Sequence, residues 1–191
     1  LYAVATTGGE GRKVLDDAYG KIDVSPDGNR IVFRRRHFEQ SEDGILTAAP
    51  DGSDVRLVAE RKYPDSLTNA TFSPDGKTLA YGVTNTGQNG EQFDTLELSS
   101  LDGSQIRPVS EKHWTMLTYV VWDPSGTALY VAGQDDAESS NIQIWRVLLD
   151  GTEPQRITND VENYRGIAVA RTADTLVTVK SELSSAIWTL P

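Results

Sequence analysis

An all-β fold assembled from four-stranded repeats, a β-propeller, is predicted by three features of this sequence. The stretch 71–81, TFSPDGKTLAY, reads as strand, tight turn, strand: Pro74 sets φ, Asp75 can bond the backbone two residues on, and Gly76 accepts a positive φ. The same register fits 24–33 (VSPDGNRIVF), 122–131 (WDPSGTALYV) and, in degraded form, 169–178 (VARTADTLVT). Their spacing of 47 to 50 residues is one that marks a propeller or solenoid array. A second turn phrase lies between these hairpins, at Asp51-Gly52-Ser53, Asp102-Gly103-Ser104 and Asp150-Gly151-Thr152, with a short alternating run on either side. No window carries a sustained apolar stripe at helical spacing.

Each unit therefore has four short antiparallel strands, A to D in chain order. One Asp-Gly type turn joins A to B and another joins C to D, which describes a propeller blade. Residues 1–15 read as a partial blade: a strand C over 1–5, a polar turn over 6–10 and a strand D over 12–15. Whole blades are expected at about 20–58, 69–109 and 118–158, and a second partial blade at 166–191, where 186–190 (AIWTL) reads as another strand C. Three whole and two partial blades are expected to form part of a larger ring, within one propeller segment over 1–191.

Within the first whole blade, strand B ends in Arg34-Arg35-Arg36-His37, expected to enter a polar loop before strand C at 45–48. Such a run is either a solvated strand end or an anion or carboxylate contact, which the planar guanidinium fork suits. The second blade has a Gly/Asn/Gln-rich loop at 85–92, and the third an acidic loop, Asp135-Asp136-Ala137-Glu138. Carboxylates can hold calcium, but no Gly-punctuated calcium-loop spacing accompanies these three, so a solvated loop is the reading taken. The last blade has Arg171-Thr172-Ala173-Asp174 where the others carry their Pro and Gly.

At 191 residues the chain can bury a sizeable core. A formal net charge of -10 argues against a nucleic-acid partner, since phosphate binding needs clustered Lys and Arg. No run approaches the roughly 20 apolar residues of a membrane-spanning helix, so membrane insertion is not expected. With Cys at 0, disulfides, thiolate catalysis and Cys-based zinc sites are excluded. There is no G-x-S-x-G elbow, the two histidines His37 and His113 lack metal-ligand spacing, and Gly8-Gly9-Glu10-Gly11 lacks the Lys and Ser/Thr of a phosphate loop. A non-enzyme with no cofactor and no metal site is expected.

The phrase S-P-D-G-x-x-[IL]-x-[FY], followed by L-D-G-[ST] and a short basic-apolar strand, resembles the TolB-like propeller repeat, a WD-repeat-like family, over the whole chain. That family includes the TolB C-terminal domain of the bacterial cell envelope, and propeller segments of bacterial receptor-type kinases, winged-helix regulators and some peptidases. The resemblance implies a non-catalytic module of a larger bacterial protein, binding a protein or peptide or acting as scaffold, in the periplasm or another extracytoplasmic compartment. The alternative it leaves open is the non-catalytic propeller of a peptidase or carbohydrate-active enzyme. Fold similarity alone does not choose between them.

Binding residues are sought among loops held on a rigid scaffold. The A–B and C–D turns are short and made of Pro, Asp and Gly. The opposite face carries the D–A connections, where Tyr19, Tyr63, Trp114 and Tyr164 are placed, and the B–C loops, where Arg35, His37, Gln88, Asp135 and Glu138 are placed. Tyr, Trp and Arg are the types enriched at energetic hot spots, so this face is the candidate, with Trp114 and Tyr63 as anchors. The other reading is that one aromatic per connection caps the core between blades. Strand edges left open at the terminal blades are expected to find a partner, by self-association or by docking of 13–15 beside 186–190. Light scattering checks this: a monodisperse monomer whose terminal strands exchange amide hydrogens rapidly would contradict both outcomes.

Overall fold

The structure, a computed structural model, describes residues 1–135, 141–170 and 175–182. Among these there is no helix, and seventeen strands follow one another along the chain. An N-terminal pair, β1 (Tyr2–Ala3) and β2 (Arg12–Lys13), forms a two-stranded sheet. The first four-stranded sheet comprises β3 (Tyr19–Val24), β4 (Ile31–His37), β5 (Glu42–Ala48) and β6 (Arg56–Lys62). In the second sheet strand A is split into β7 (Ser66–Leu67) and β8 (Thr71–Phe72), both on β9 (Thr78–Thr86), followed by β10 (Gln92–Ser100) and β11 (Ile106–Pro108). The third has β12 (Met116–Trp122), β13 (Ala128–Gln134), β14 (Gln143–Leu148) and β15 (Gln155–Arg156), and β16 (Asn163–Val169) pairs with β17 (Leu176–Ser181). Every pairing is antiparallel, and apart from the split strand A, where β7 and β8 both join β9, each links neighbours in sequence, so this is a partial propeller of four-stranded blades. The expected strand C at 186–190 and the degraded turn at 171–174 lie outside the described residues.

The A–B turns repeat down to single hydrogen bonds. In the first sheet Gly28 N donates to Ser25 O at 2.8 Å, and the Ser25 hydroxyl donates to Asp27 Oδ1 at 2.6 Å. In the second, Gly76 N donates to Ser73 O at 2.8 Å and the Ser73 hydroxyl to Asp75 Oδ1 at 2.6 Å. The third reverses the pair: Asp123 stands where the others have Ser, and the Ser125 hydroxyl donates back to it. The C–D turn of the second sheet uses the same device, with Ser100 donating to Asp102 Oδ1 at 2.6 Å. That hydroxyl, the backbone N–H of Ser104 and the Ser104 hydroxyl hold the Asp102 carboxyl down at about 2. Because its folded-state pKa is depressed, the contribution of this turn is present above the ordinary Asp range and is lost as pH falls through the folded value.

Four apolar clusters fill the seams between successive sheets. On β4, Val32 faces the second sheet while Ile31 and Phe33 face the N-terminal pair. On β9, Leu79, Tyr81 and Val83 face the first sheet and Ala80 the third. On β13, Leu129 and Val131 turn to the second sheet and Ala132 to β16. The middles of strands B and C are thus buried on both faces, whereas β11 and β15 are short and polar and the longer β6 buries only Val58 and Ala59.

The seams also bring backbones together at the C–D turns. Gly103 has φ +70°, and a Cβ built there would run into the carbonyl oxygen of Val58 at the preceding strand D; at Gly151, φ +87°, nothing lies in the way. G151A is expected to cost about 1 kcal/mol for the left-handed backbone alone. G103A is expected to cost about 1 to 3 kcal/mol more, because main chain must move. Equal denaturation midpoints for the two variants would show that the second seam is not tight at this turn.

Candidate functional site

Two faces follow from this connectivity, one carrying the A–B and C–D turns and the other the B–C hairpins and D–A connections. On the second face the first sheet departs from the sequence expectation. Arg34 to His37 do not enter a loop: they continue β4, paired with Glu42 to Ile45 of β5. Arg35 and His37 are therefore strand residues. The cause is Asp43, which accepts from Arg34 Nε at 2.7 Å, is also bonded by Arg34 Nη2, and lies 3.5 Å from Arg36 Nη2. The carboxylate contact the arginines suit is thus supplied from within the chain, by an acid only 3% exposed.

With the strands extended, the hairpin tip shrinks to residues 38–41, where Ser41 takes φ 54°. Tyr63 N donates to Ser41 O at 2.9 Å, fastening the D–A connection to the tip just ahead of a cis Tyr63–Pro64 bond. Between them lies a cleft of about 240 Å³, walled mainly by carbon, whose lining includes Arg36, His37, Phe38, Tyr63, Asp65 and Ser66. Phe38 is 75% exposed and Tyr63 78%, and the Arg36 guanidinium sits 5.5 Å above the Phe38 ring centre. His37 and Tyr63, placed on separate loops by the sequence, meet here. Phe38 was missed; a lone Phe in a short polar hairpin is the signal that could have found it. Arg35, pointing to the other side of β4, stacks over Phe33 and lines a separate cleft that His37 also touches.

The other candidates are dispersed. Trp114 is not a surface anchor: it is 1% exposed, bridged to Asp94 by N–H to O bonds of 2.7 and 2.9 Å in each direction, and packed between the second and third four-stranded sheets. Its burial leaves the capping reading in force at this position. Tyr19 and Tyr164 belong to strand A rather than to connections, each six residues ahead of its A–B turn, where Leu67 and Leu117 stand in the other blades. Tyr164 is 9% exposed, with its hydroxyl donating to Asp160 at 2.7 Å, and that carboxylate raises the phenol pKa. Tyr19 is exposed, with Arg34 over its ring. Asp135 pairs with Lys112, whose Nζ lies 4.5 Å from the Trp145 ring centre. Glu138 lies outside the described residues, among which no group of three His, Asp or Glu could hold a metal ion.

Two further clefts were not foreseen. One of about 440 Å³ is lined by strand A residues of four successive sheets, among them Lys21, Phe72, Val121 and Ile167. Another, of about 380 Å³, opens between turns on the face the sequence left bare, with Asp75, Ser100, Arg107 and Trp122 in its walls.

No family model matches the chain. Among solved structures, a putative TolB from Agrobacterium tumefaciens superposes with TM-score 0.71 at 19% identity, covering 95% of this chain and 62% of that one. TolB from Acinetobacter baumannii gives 0.73 at 17% identity, over 93% of this chain and 42% of that one. The fold is that of a TolB-like β-propeller. The chain spans less than two thirds of the length of either TolB structure. A prolyl endopeptidase structure shares the propeller as well, with TM-score 0.65 at 14% identity, over 94% of this chain and 28% of that one.

In this propeller Asp43 holds Arg34, Arg36 and, through a 3.1 Å bond to Oδ2, the backbone N–H of Leu67 in the next sheet. Removing one partner of a buried ion pair is costly. D43N is therefore expected to destabilise the protein by about 3 kcal/mol in urea denaturation. A loss below about 1 kcal/mol would mean that solvent replaces the carboxylate, as at an exposed pair.

Proposed function

We propose that this propeller is a non-catalytic binding module, taking a protein or peptide on its loop-rich face at the cleft between the β4–β5 hairpin tip and Tyr63. The observation that supports this most is the pair of exposed rings, Phe38 and Tyr63, beside one carbon-walled cleft. Isolated exposed apolar residues need no explanation, but two large rings sharing a concave wall do. Phe38 directly follows β4 and Tyr63 directly follows β6, so each ring is presented at the end of a paired strand. Arg36 and His37 at the rim supply donors for a partner's carbonyl or carboxylate groups.

The likeness to TolB supports an extracytoplasmic, bacterial setting within a larger protein. A second reading, the propeller part of a peptidase, is favoured by the prolyl endopeptidase likeness. A hydrolase pattern in the sequence flanking this segment would select it, and a kinase or winged-helix pattern would select the first.

Peptides selected from a displayed random library against the whole chain test the site. Their affinity is expected to fall by roughly 1 kcal/mol or more, about fivefold, in each of Y63A and F38A, and to be unchanged in R107A on the opposite face. Peptides indifferent to both ring deletions and lost with R107A would put recognition on the turn face.

A further inference from the structure

The same position in two consecutive blades holds a buried aspartate, and among the described residues only Asp43 has a counter-ion. Asp43 pairs across the ladder with Arg36, and Asp94 pairs across its ladder with Thr84. Each carboxylate reaches the next sheet and accepts the backbone N–H of the first buried leucine of its strand A, Leu67 at 3.1 Å and Leu117 at 2.6 Å. Where the first blade has Arg34 and Arg36, the second has Gly82 and Thr84. Asp94 is 5% exposed.

The charged groups around Asp94 are committed elsewhere. On β10 itself Glu97 is ion-paired with Arg61. Behind β9, the Asp65 carboxylate accepts from Thr86 N at 2.8 Å. On the connection that bridges to Asp94, Lys112 is paired with Asp135, and His113 is stacked on Phe93 at 4.1 Å between ring centres. From β12 the contact is the Leu117 amide, and the facing side chain on β9 is the Thr84 hydroxyl.

We propose that the joint between the second and third four-stranded sheets is an acid-tightened seam, with Asp94 as its titrating group. Ionised, Asp94 is a buried charge answered, among the described residues, by one amide and one hydroxyl, and the seam is at its weakest. A proton taken from solvent onto one carboxyl oxygen leaves the other to accept from Leu117, while the new O–H donates to the Thr84 oxygen. Burial, the largest influence on this carboxyl, favours the protonated form and raises its pKa. The sign follows: the folded chain binds this proton more tightly than the unfolded chain, so the contribution of Asp94 grows as pH falls through its folded value. That is opposite to the exposed turn aspartates such as Asp102, so the effect is read as a difference between variants.

D94N carries a fixed neutral mimic of the acid. Its urea midpoint is expected to equal or exceed that of the wild-type chain at about pH 7.5, and the wild type is expected to gain on it steadily down to about pH 4.5. Over the same range, protection of the Leu117 amide, corrected for intrinsic exchange, should rise in the wild type and stay level in D94N. A gap between the two midpoints that does not change with pH, whatever its sign, overturns the proposal. Carbon-13 detection of the Asp94 carboxyl in the unaltered protein decides independently of any variant: a midpoint above the ordinary Asp range supports the seam, and one at or below it overturns it.

Discussion

A side chain in the middle of β9 has no solvent side. Leu79, Tyr81 and Val83 enter the seam with the first sheet, Ala80 enters the seam with the third, and β4, β5, β13 and β14 are built the same way. No sheet here could be stable alone, because each buries its middle strands only between two neighbours. The turns, the short outer strands and the buried aspartates all follow from keeping those sheets face to face at close range. Gly103 lies against the main chain of Val58 for that reason, and Asp43 and Asp94 each carry a bond from one sheet into the next.

This dependence on neighbours separates what could be read from the chain from what could not. The A–B and C–D turns are local: Ser73, Asp75 and Gly76 make their bonds within a few residues, so their repetition reveals the hairpins, the blades and their order. Strand ends are not local. The arginine run 34–36 is expected to enter a loop because Asp43, the group that draws it into β4, lies beyond the hairpin and is itself buried by the next sheet.

The candidate site was legible in part, for the same reason. The loop-rich face and two of its residues, His37 and Tyr63, came from connectivity, which the turn phrases encode. Trp114 and Tyr164 did not behave as loop aromatics, since whether a ring after strand D points out or in depends on the seam beside it. Trp114 is bridged to Asp94 and enters the core, whereas Tyr63 is tied to Ser41 and stays outside. A count of aromatics per connection carries no information on that choice.

The reversed pair in the third A–B turn bears on how such a repeat can change. Ser73 and Asp75 in one blade correspond to Asp123 and Ser125 in the other, and the hydroxyl-to-carboxylate bond survives with donor and acceptor exchanged. A path between the two arrangements by single substitutions passes through a turn with two serines, which lacks its carboxylate, or two aspartates, which repel one another. The two positions are therefore epistatic: a residue that is best in one blade is a defect in its sister unless its partner is altered with it. Recombination that exchanged whole turns between blades would keep the hydroxyl-to-carboxylate bond, while exchange of a single position would not.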